Sequence, residues 1–236
     1  MKNKLKIPAC ETCQSRVHSI FSDLKNSDLV ILSENKCGNI YKKGQMIFYE
    51  GNKPTGLFCI NHGKVKVYKM NEQGKEQIVR LAKDGDVIGY RSLVSGTMYA
   101  ASASVLEDAT ICYIPKSHFT HLLQSNVELS MKTIRLLSHD LEMAEKKISR
   151  LAQNTVRERL AETLLSLKEF SGLEEDHETI GISLSREEMA NIVGTATETV
   201  IRLLSEFNHE KLIEISGRKI KILNHQGLLK AANVND

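Results

Sequence analysis

The chain contains no run of about 18 apolar residues, the length a helix needs to cross a bilayer, so a membrane span is not expected. Its opening residues, MKNKLKIPACETC, hold no apolar core of the kind that begins a secretory leader, and a cytoplasmic protein is expected. Cysteine is too sparse and too irregularly spaced to form a disulfide scaffold: five residues in 236. Those thiols are therefore buried groups, a redox device or metal ligands. There is no Gly-rich phosphate loop and no serine nucleophile elbow, and the eight histidines follow no metalloprotease pattern. No enzyme class is suggested. Repeats and low-complexity tracts are also missing.

Strong charge of one sign is missing too. The net charge is +3. Residues 155–236 carry 10 Lys/Arg against 14 Asp/Glu, a net of −4, and the remainder carries 22 against 15, a net of +7. If the C-terminal part binds nucleic acid, its basic groups must be placed locally, because only cations near phosphates release counterions.

What is present falls into three textures. A short helix is expected over residues 20–36. From Tyr41 to Pro115, segments such as YKKGQMIFYEG, GLFCINHGKVKVYKM, EQIVRLAKDGDVIGY and SASVLEDATICYIP alternate apolar and polar residues between glycines. Gly74 in NEQGKE suits a hairpin turn. Turn signals about every ten residues predict a roll of antiparallel strands. Beyond Pro115, Ile134, Leu137, Leu141, Ala144, Ile148 and Leu151 repeat at three-four spacing. The narrow stripe, with polar residues between, predicts a long helix that pairs with a second copy as a parallel coiled coil; the alternative is an amphipathic helix packed on its own core. TVRERLAETLLSLKEF is a helix with a wider apolar face, followed by the polar loop SGLEEDHETIGISLS with a short strand.

LSREEMANIVGTATETVIRLL carries the most specific pattern. Ser185 is a helix N-cap and Glu188 stands at the capping-box position. Met189, Ala190 and Val193 share one face, Gly194 ends the helix in a left-handed conformation, and Thr197 can cap the next helix. Val200, Leu203 and Leu204 form that helix's buried face. This is helix-turn-helix spacing, and KLIEISGRKIKILN adds a two-stranded wing turning at Ser216-Gly217-Arg218. In such a motif the second helix enters the major groove by its N-terminal end. Thr195 and Thr197 can then donate to phosphates. Glu198 and Arg202, one turn apart, can read cytosine and guanine edges and brace each other. Arg218, Lys219 and Lys221 in the wing would supply phosphate contacts.

Together these segments resemble the CRP/FNR transcription regulators, from about Phe21 to Leu229. YKKGQMIF, GLFCINHGKVKV, GDVIGY, VRERLAETLL and the Glu-Thr-Val-Ile-Arg run of the second helix all stand where that family has counterparts. The resemblance implies an α+β chain. An N-terminal antiparallel β-roll, cupin-like and of the cyclic-nucleotide-binding type, occupies residues 1–125. A dimerisation helix follows at 126–153 and a winged helix-turn-helix at 154–236. It further implies a homodimer on palindromic double-stranded DNA, half-sites sharing a TGA core, RNA polymerase as partner, and base reading by Glu198 and Arg202. Ile201 stands where FNR-type members carry serine and CRP-type members glycine. A different class of function, a small-molecule- or metal-binding roll whose winged helix serves protein contacts, is kept open by the acidic C-terminal part.

Two sensor chemistries follow from the same resemblance. Cyclic-nucleotide-binding members use a Gly-Glu-Leu turn and an Arg-Ser or Arg-Thr pair about ten residues on; here Gly89-Tyr90-Arg91 and Tyr99-Ala100 occupy those places. Both polar partners are missing, and Arg91, read as lying on a strand, should point to the opposite face. Cyclic AMP is therefore not expected. The FNR branch holds an iron–sulfur cluster on three N-terminal cysteines and one in the roll. Cys10, Cys13 and Cys112 match three of these positions, and Ser19, beside His18, takes the fourth. An iron–sulfur cluster, zinc, a reversible disulfide and simple packing all remain open for these residues. Cys59 and Cys112 also suit buried apolar thiols.

Overall fold

The computed structural model describes residues 7–233; residues 1–6, where the expectation of no leader begins, and 234–236 lie outside it. The chain divides into two compact units, Met1–Glu142 and Met143–Asp236. Among the described residues no helix is long and apolar enough to cross a membrane.

The first unit is the expected roll. It opens with a 3-10 helix, Gln14–His18, then α1, Asn26–Asn35. A single helix over 20–36 is thus corrected: residues 20–23 are turn and Lys25 is extended, Leu24 N–H closes on the Phe21 carbonyl, and Arg16 ties the segment down by donating to the carbonyls of Cys10, Phe21 and Ser22. Ten short elements follow: β1 (Cys37–Tyr41), β2 (Met46–Phe48), β3 (Gly56–His62), β4 (Val65–Met70), β5 (Glu76–Ala82), β6 (Val87–Ile88), α2 (Tyr90–Ser95), β7 (Ser102–Val105), β8 (Ala109–Pro115) and α3 (Lys116–Ser125). The strands form two four-stranded antiparallel sheets, ordered β1-β8-β3-β6 and β2-β7-β4-β5.

Strand alternation divides the apolar residues into two cores. Phe48, Phe58, Ile60, Val65, Ala82, Tyr99, Val105 and Ile111 fill the interior. Leu57, Val87 and Ile114 point outward and pack with Cys10, Phe21, Leu29, Leu32, Tyr90, Phe119 and Leu129. Period-two patterning sends neighbours of one strand to opposite faces, so Leu57 and Phe58 serve different cores.

Helix α4, Val127–Gln153, contains the unit boundary within it. The second unit continues with α5 (Val156–Ser171), α6 (Arg186–Val193), α7 (Thr197–His209), β9 (Ile213–Ser216), β10 (Lys219–Ile222) and α8 (His225–Ala231). The loop before α6 holds only isolated bridges, Leu173 with Ile180 and Thr179 with Lys221, in place of the expected short strand. Leu160, Leu164, Ala190, Val200, Phe207, Ile213 and Leu228 are fully buried and form this unit's core.

Candidate nucleic-acid interface

Two capping boxes start the helices that build this region. In α5, Thr155 Oγ1 accepts from Glu158 N–H at 3.3 Å, and the Glu158 carboxylate accepts from Thr155 N–H at 2.6 Å. In α6, Ser185 and Glu188 make the same reciprocal pair at 3.0 and 2.7 Å. Each satisfies two backbone donors that the first turn would otherwise leave unpaired. Helix α6 ends at Gly194, whose φ of 75° and ψ of 51° are left-handed. Its N–H and that of Thr195 both return to the Ala190 carbonyl, at 2.8 and 3.2 Å, and this closes the turn.

The start of α7 departs from expectation. The N-cap is Ala196, without a side-chain cap, and Thr197 is already the first helical residue. The double closure on Ala190 fixes the turn, so the helix begins where that turn releases the chain. Val200, Leu203, Leu204 and Phe207 are buried, which leaves Glu198, Ile201, Arg202 and Ser205 on the exposed face. Ile201 is 51% exposed, and Thr195 and Thr197 are half-buried at the entry to the helix.

Arg202 does not brace Glu198. Its guanidinium pairs with Glu206, one turn further on, and Glu198 stays outward. Both partners are four residues from Arg202. Glu206 also lies 3.4 Å from Arg157 of α5, so a second cation anchors it.

Two α5 arginines position this region, and the helix-turn-helix pattern alone does not reveal them. Arg159 donates to the carbonyls of Val193 at 3.0 Å, Gly194 at 3.4 Å and Asn154 at 2.8 Å. One guanidinium therefore satisfies the turn's outward carbonyls. Arg157 pairs with Glu210 at 2.6 Å and lies 4.6 Å over the Phe207 ring. The signal present in the sequence was the Val-Arg-Glu-Arg run itself.

In the wing, Arg218 is exposed and makes no ion pair among the described residues. Lys219 and Lys221 are paired, with Glu174 and Glu178, each at 2.6 Å. The Glu178 carboxylate raises the Lys221 ammonium above its usual range. Arg186 fixes the wing turn by donating to the Gly217 carbonyl at 2.9 Å.

On α4, Ile134 (52%), Leu141 (61%), Ile148 (67%) and Leu151 (41%) are exposed, as is Ala144. Leu137 differs: it is half-buried against the outer core of the roll.

In the roll, Gly89 leads into helix α2, so Tyr90 and Arg91 lie on a helix, which corrects the strand reading. Tyr90 is buried and Arg91 exposed. Tyr99 stacks on Phe48 with ring centroids 4.1 Å apart, and its hydroxyl donates to the Gly56 carbonyl at 3.1 Å. Phe58 joins both Phe48 and Tyr113. The interior is packed with aromatic side chains at this end.

The cysteines are free thiols. Cys10 and Cys112 are buried, Cys13 and Cys59 partly so, and Cys37 is exposed. Burial raises the Cys10, Cys59 and Cys112 thiols above their usual range, and the Lys36 ammonium opposes this at each. Among the described residues, no three His, Cys, Asp or Glu side chains converge closely enough, as they stand, to hold a metal ion. The donor chemistry nonetheless suits a thiophilic centre, with buried thiols on one side of the roll and no disulfide consuming them.

A β-roll, a long helix with an exposed apolar stripe and a winged helix-turn-helix define a DNA-binding regulator. Known families agree: the cyclic nucleotide-binding domain matches residues 39–126 and the Crp-like helix-turn-helix domain residues 158–231. The chain is 30% identical over 195 residues to the fumarate and nitrate reduction regulatory protein of Vibrio cholerae, spanning 82% of this chain and 78% of that one. It is 31% identical over 188 residues to electron transport regulator A of Shewanella oneidensis, spanning 79% and 75%. A solved CRP/FNR-family transcriptional regulator from Thermus thermophilus superposes with a TM-score of 0.71 at 26% identity, over 85% of this chain and all of that one. The chain belongs to the CRP/FNR family of transcription regulators. Like its relatives, it is a sequence-specific DNA-binding protein of a family that acts as dimers.

Proposed function

We propose that this regulator binds a palindromic operator as a homodimer in the cytoplasm, has no catalytic activity of its own and acts on RNA polymerase. Helix α4 forms the dimer seam through the exposed Ile134, Leu141, Ala144, Ile148 and Leu151, while Leu137, expected in the same stripe, packs on the roll's own core. The observation that carries the DNA reading is the solvent-exposed outward face of α7. Arg202 reads a guanine, Glu198 the opposite strand, and Ile201 makes apolar contact. Thr195, Thr197, Arg218 and Lys219 hold phosphates. The pairs Arg202–Glu206 and Lys219–Glu174 then open on binding.

Cyclic AMP is not the effector in this reading. Phe48 and Tyr99 stack together within the roll, and Tyr90 stands where nucleotide-binding members carry a carboxylate. Sensing falls instead to Cys10, Cys13 and Cys112 as ligands of an iron–sulfur cluster or zinc. A mobility-shift series with a randomised palindrome library tests the DNA function. Enrichment of one palindrome with a steep negative salt slope is expected; no enrichment at any salt concentration would sink it.

A further inference from the structure

Cys59 stands directly opposite Cys112 in the antiparallel pairing of β3 with β8. Opposed residues of such a pair project to the same side, with Cβ atoms about 4.5–5.5 Å apart. That side is the outer face of the sheet. Leu57 and Ile114, two residues along and themselves opposed, belong to the outer core, whereas Phe58, Ile60 and Ile111 belong to the interior. Cys10 is part of the same outer core, and Cys59 packs against it.

Cys13 reaches the same strand. Its sulfur accepts a hydrogen bond from Asn61 Nδ2 at 3.2 Å, and the Ser15 hydroxyl donates to the Asn61 carbonyl. The turn holding Cys10 and Cys13 is closed by Cys13 N–H on the Cys10 carbonyl at 3.4 Å. The N-terminal segment is thereby stitched to β3 beside Cys59.

The other candidates are engaged elsewhere. The Ser19 hydroxyl donates to the Arg16 carbonyl at 2.8 Å and accepts from Phe21 N–H at 3.1 Å. His18 is exposed. Cys37 is exposed and opposes Tyr113, which packs on the interior core, so it faces the other side of the sheet.

We propose that Cys10, Cys13, Cys59 and Cys112 form a four-thiolate site for a thiophilic metal centre, with Cys59 as the donor that Ser19 does not supply. This rests on the reading that Cys10, Cys13 and Cys112 ligate metal, and it completes their set. Four thiolates close the tetrahedral shell of a zinc ion or hold an iron–sulfur cluster. No three of these side chains converge closely enough as they stand to hold a metal ion, so binding requires the thiols to draw together. Sulfur ligates zinc as thiolate, so any thiol that binds protonated would give its proton to solvent.

The test uses the full chain purified without oxygen: wild type, Cys13→Ser, Cys59→Ser and Cys37→Ser. Zinc, iron and sulfide are measured per chain, and cysteines are mapped by alkylation before and after chelation. One centre is expected in wild type and Cys37→Ser, with at least tenfold weaker metal retention in Cys13→Ser and Cys59→Ser. In loaded wild type, Cys10, Cys13, Cys59 and Cys112 should resist alkylation while Cys37 reacts. Either zinc content or an iron–sulfur absorption supports the site and identifies its form. Should Cys59→Ser not fold, the wild-type alkylation map and a cobalt(II) spectrum of tetrahedral four-thiolate character decide the matter. If Cys59→Ser keeps its metal at wild-type affinity while Cys13→Ser loses it, Cys59 is a packing residue and the three-cysteine reading stands. Wild-type protein that takes up neither zinc nor iron and sulfide on reconstitution overturns both.

Discussion

The Tyr90 hydroxyl donates a 2.6 Å hydrogen bond to Asp140 Oδ2, and Arg80 Nη1 lies 3.3 Å from the same oxygen. Tyr90 is fully buried at the start of α2, Arg80 is on β5 and Asp140 is on α4. One carboxylate thus joins the roll to the long helix. Tyr90, the residue after Gly89, grips the long helix.

Tyr90→Phe removes one charge-assisted bond and leaves the ion pair. It should cost about 1.5–3 kcal/mol of stability in the N-terminal unit. Asp140→Ala strands a largely buried guanidinium and should cost about 3–5 kcal/mol. Urea denaturation followed by tyrosine fluorescence measures both. Equal costs for the two variants would mean that the ion pair contributes nothing beyond the hydroxyl bond.

Alkali should weaken the same unit. Burial first, then the hydrogen bond to the Asp140 carboxylate, pushes the Tyr90 phenol far above its usual value of about 10, and burial takes Tyr99 to about 12. Above about pH 10 the unfolded chain releases phenol protons that the native chain retains. The unfolded state then binds fewer protons, so stability is full below that pH and falls as pH rises. Tyr90→Phe should make this alkaline slope shallower. An unchanged slope between about pH 9.5 and 11 would place the titration on other groups.

Arg159→Ala leaves the Val193, Gly194 and Asn154 carbonyls without their shared donor. The C-terminal unit should lose about 1.5–3 kcal/mol, and affinity for cognate and scrambled duplexes should fall together, because the turn orients all of α7. Amide exchange at Gly194 and Thr195 reports the loosening. Protection there equal to wild type would assign Arg159 to another task.

These contacts mark the boundary of what the sequence alone could reveal. The capping box of Ser185 and Glu188 is a four-residue pattern, and the wing turn and the apolar faces of α6 and α7 follow from short periodicities, so local rules suffice for them. Arg159 meets Val193 across 34 positions and Asp140 meets Tyr90 across 50, distances at which no local rule operates. The Arg202 partner illustrates the intermediate case. Glu198 and Glu206 are equivalent in spacing, and the choice depends on Arg157, which arrives from a different helix. Cys59 was visible as a strand residue, but its place opposite Cys112 needed the register of β3 on β8.

Leu141 is 61% exposed on α4, in line with exposed Ile134 and Ile148. A charge at the centre of a coiled-coil seam cannot be hydrated in the paired state. Leu141→Asp should convert the dimer to a monomer in sedimentation and abolish binding to a full palindrome. Leu137→Asp should instead destabilise the roll, because Leu137 packs on its outer core. A Leu141→Asp dimer with unaltered DNA affinity would remove α4 from the interface.

Arg202 and Lys219 are both paired with carboxylates in the free protein, yet their substitution should read out differently. Arg202 projects from the exposed face of α7, where a bidentate contact to guanine is within its chemistry. Arg202→Ala should cost about 1–3 kcal/mol on the cognate site and flatten the preference at that guanine. Lys219 lies on the wing, which the proposed reading sets against phosphates. Lys219→Ala should weaken all sequences alike and make the salt slope shallower by about one unit. Glu174→Gln releases Lys219 from its partner and should tighten binding to cognate and scrambled duplexes by the same factor, without changing specificity. Titrations of the three variants against both duplexes across a salt series separate base reading from phosphate positioning. If Arg202→Ala lowered affinity equally on both duplexes, Arg202 would be a phosphate contact, and the selectivity of α7 would have to reside in Glu198, Ile201 and Ser205.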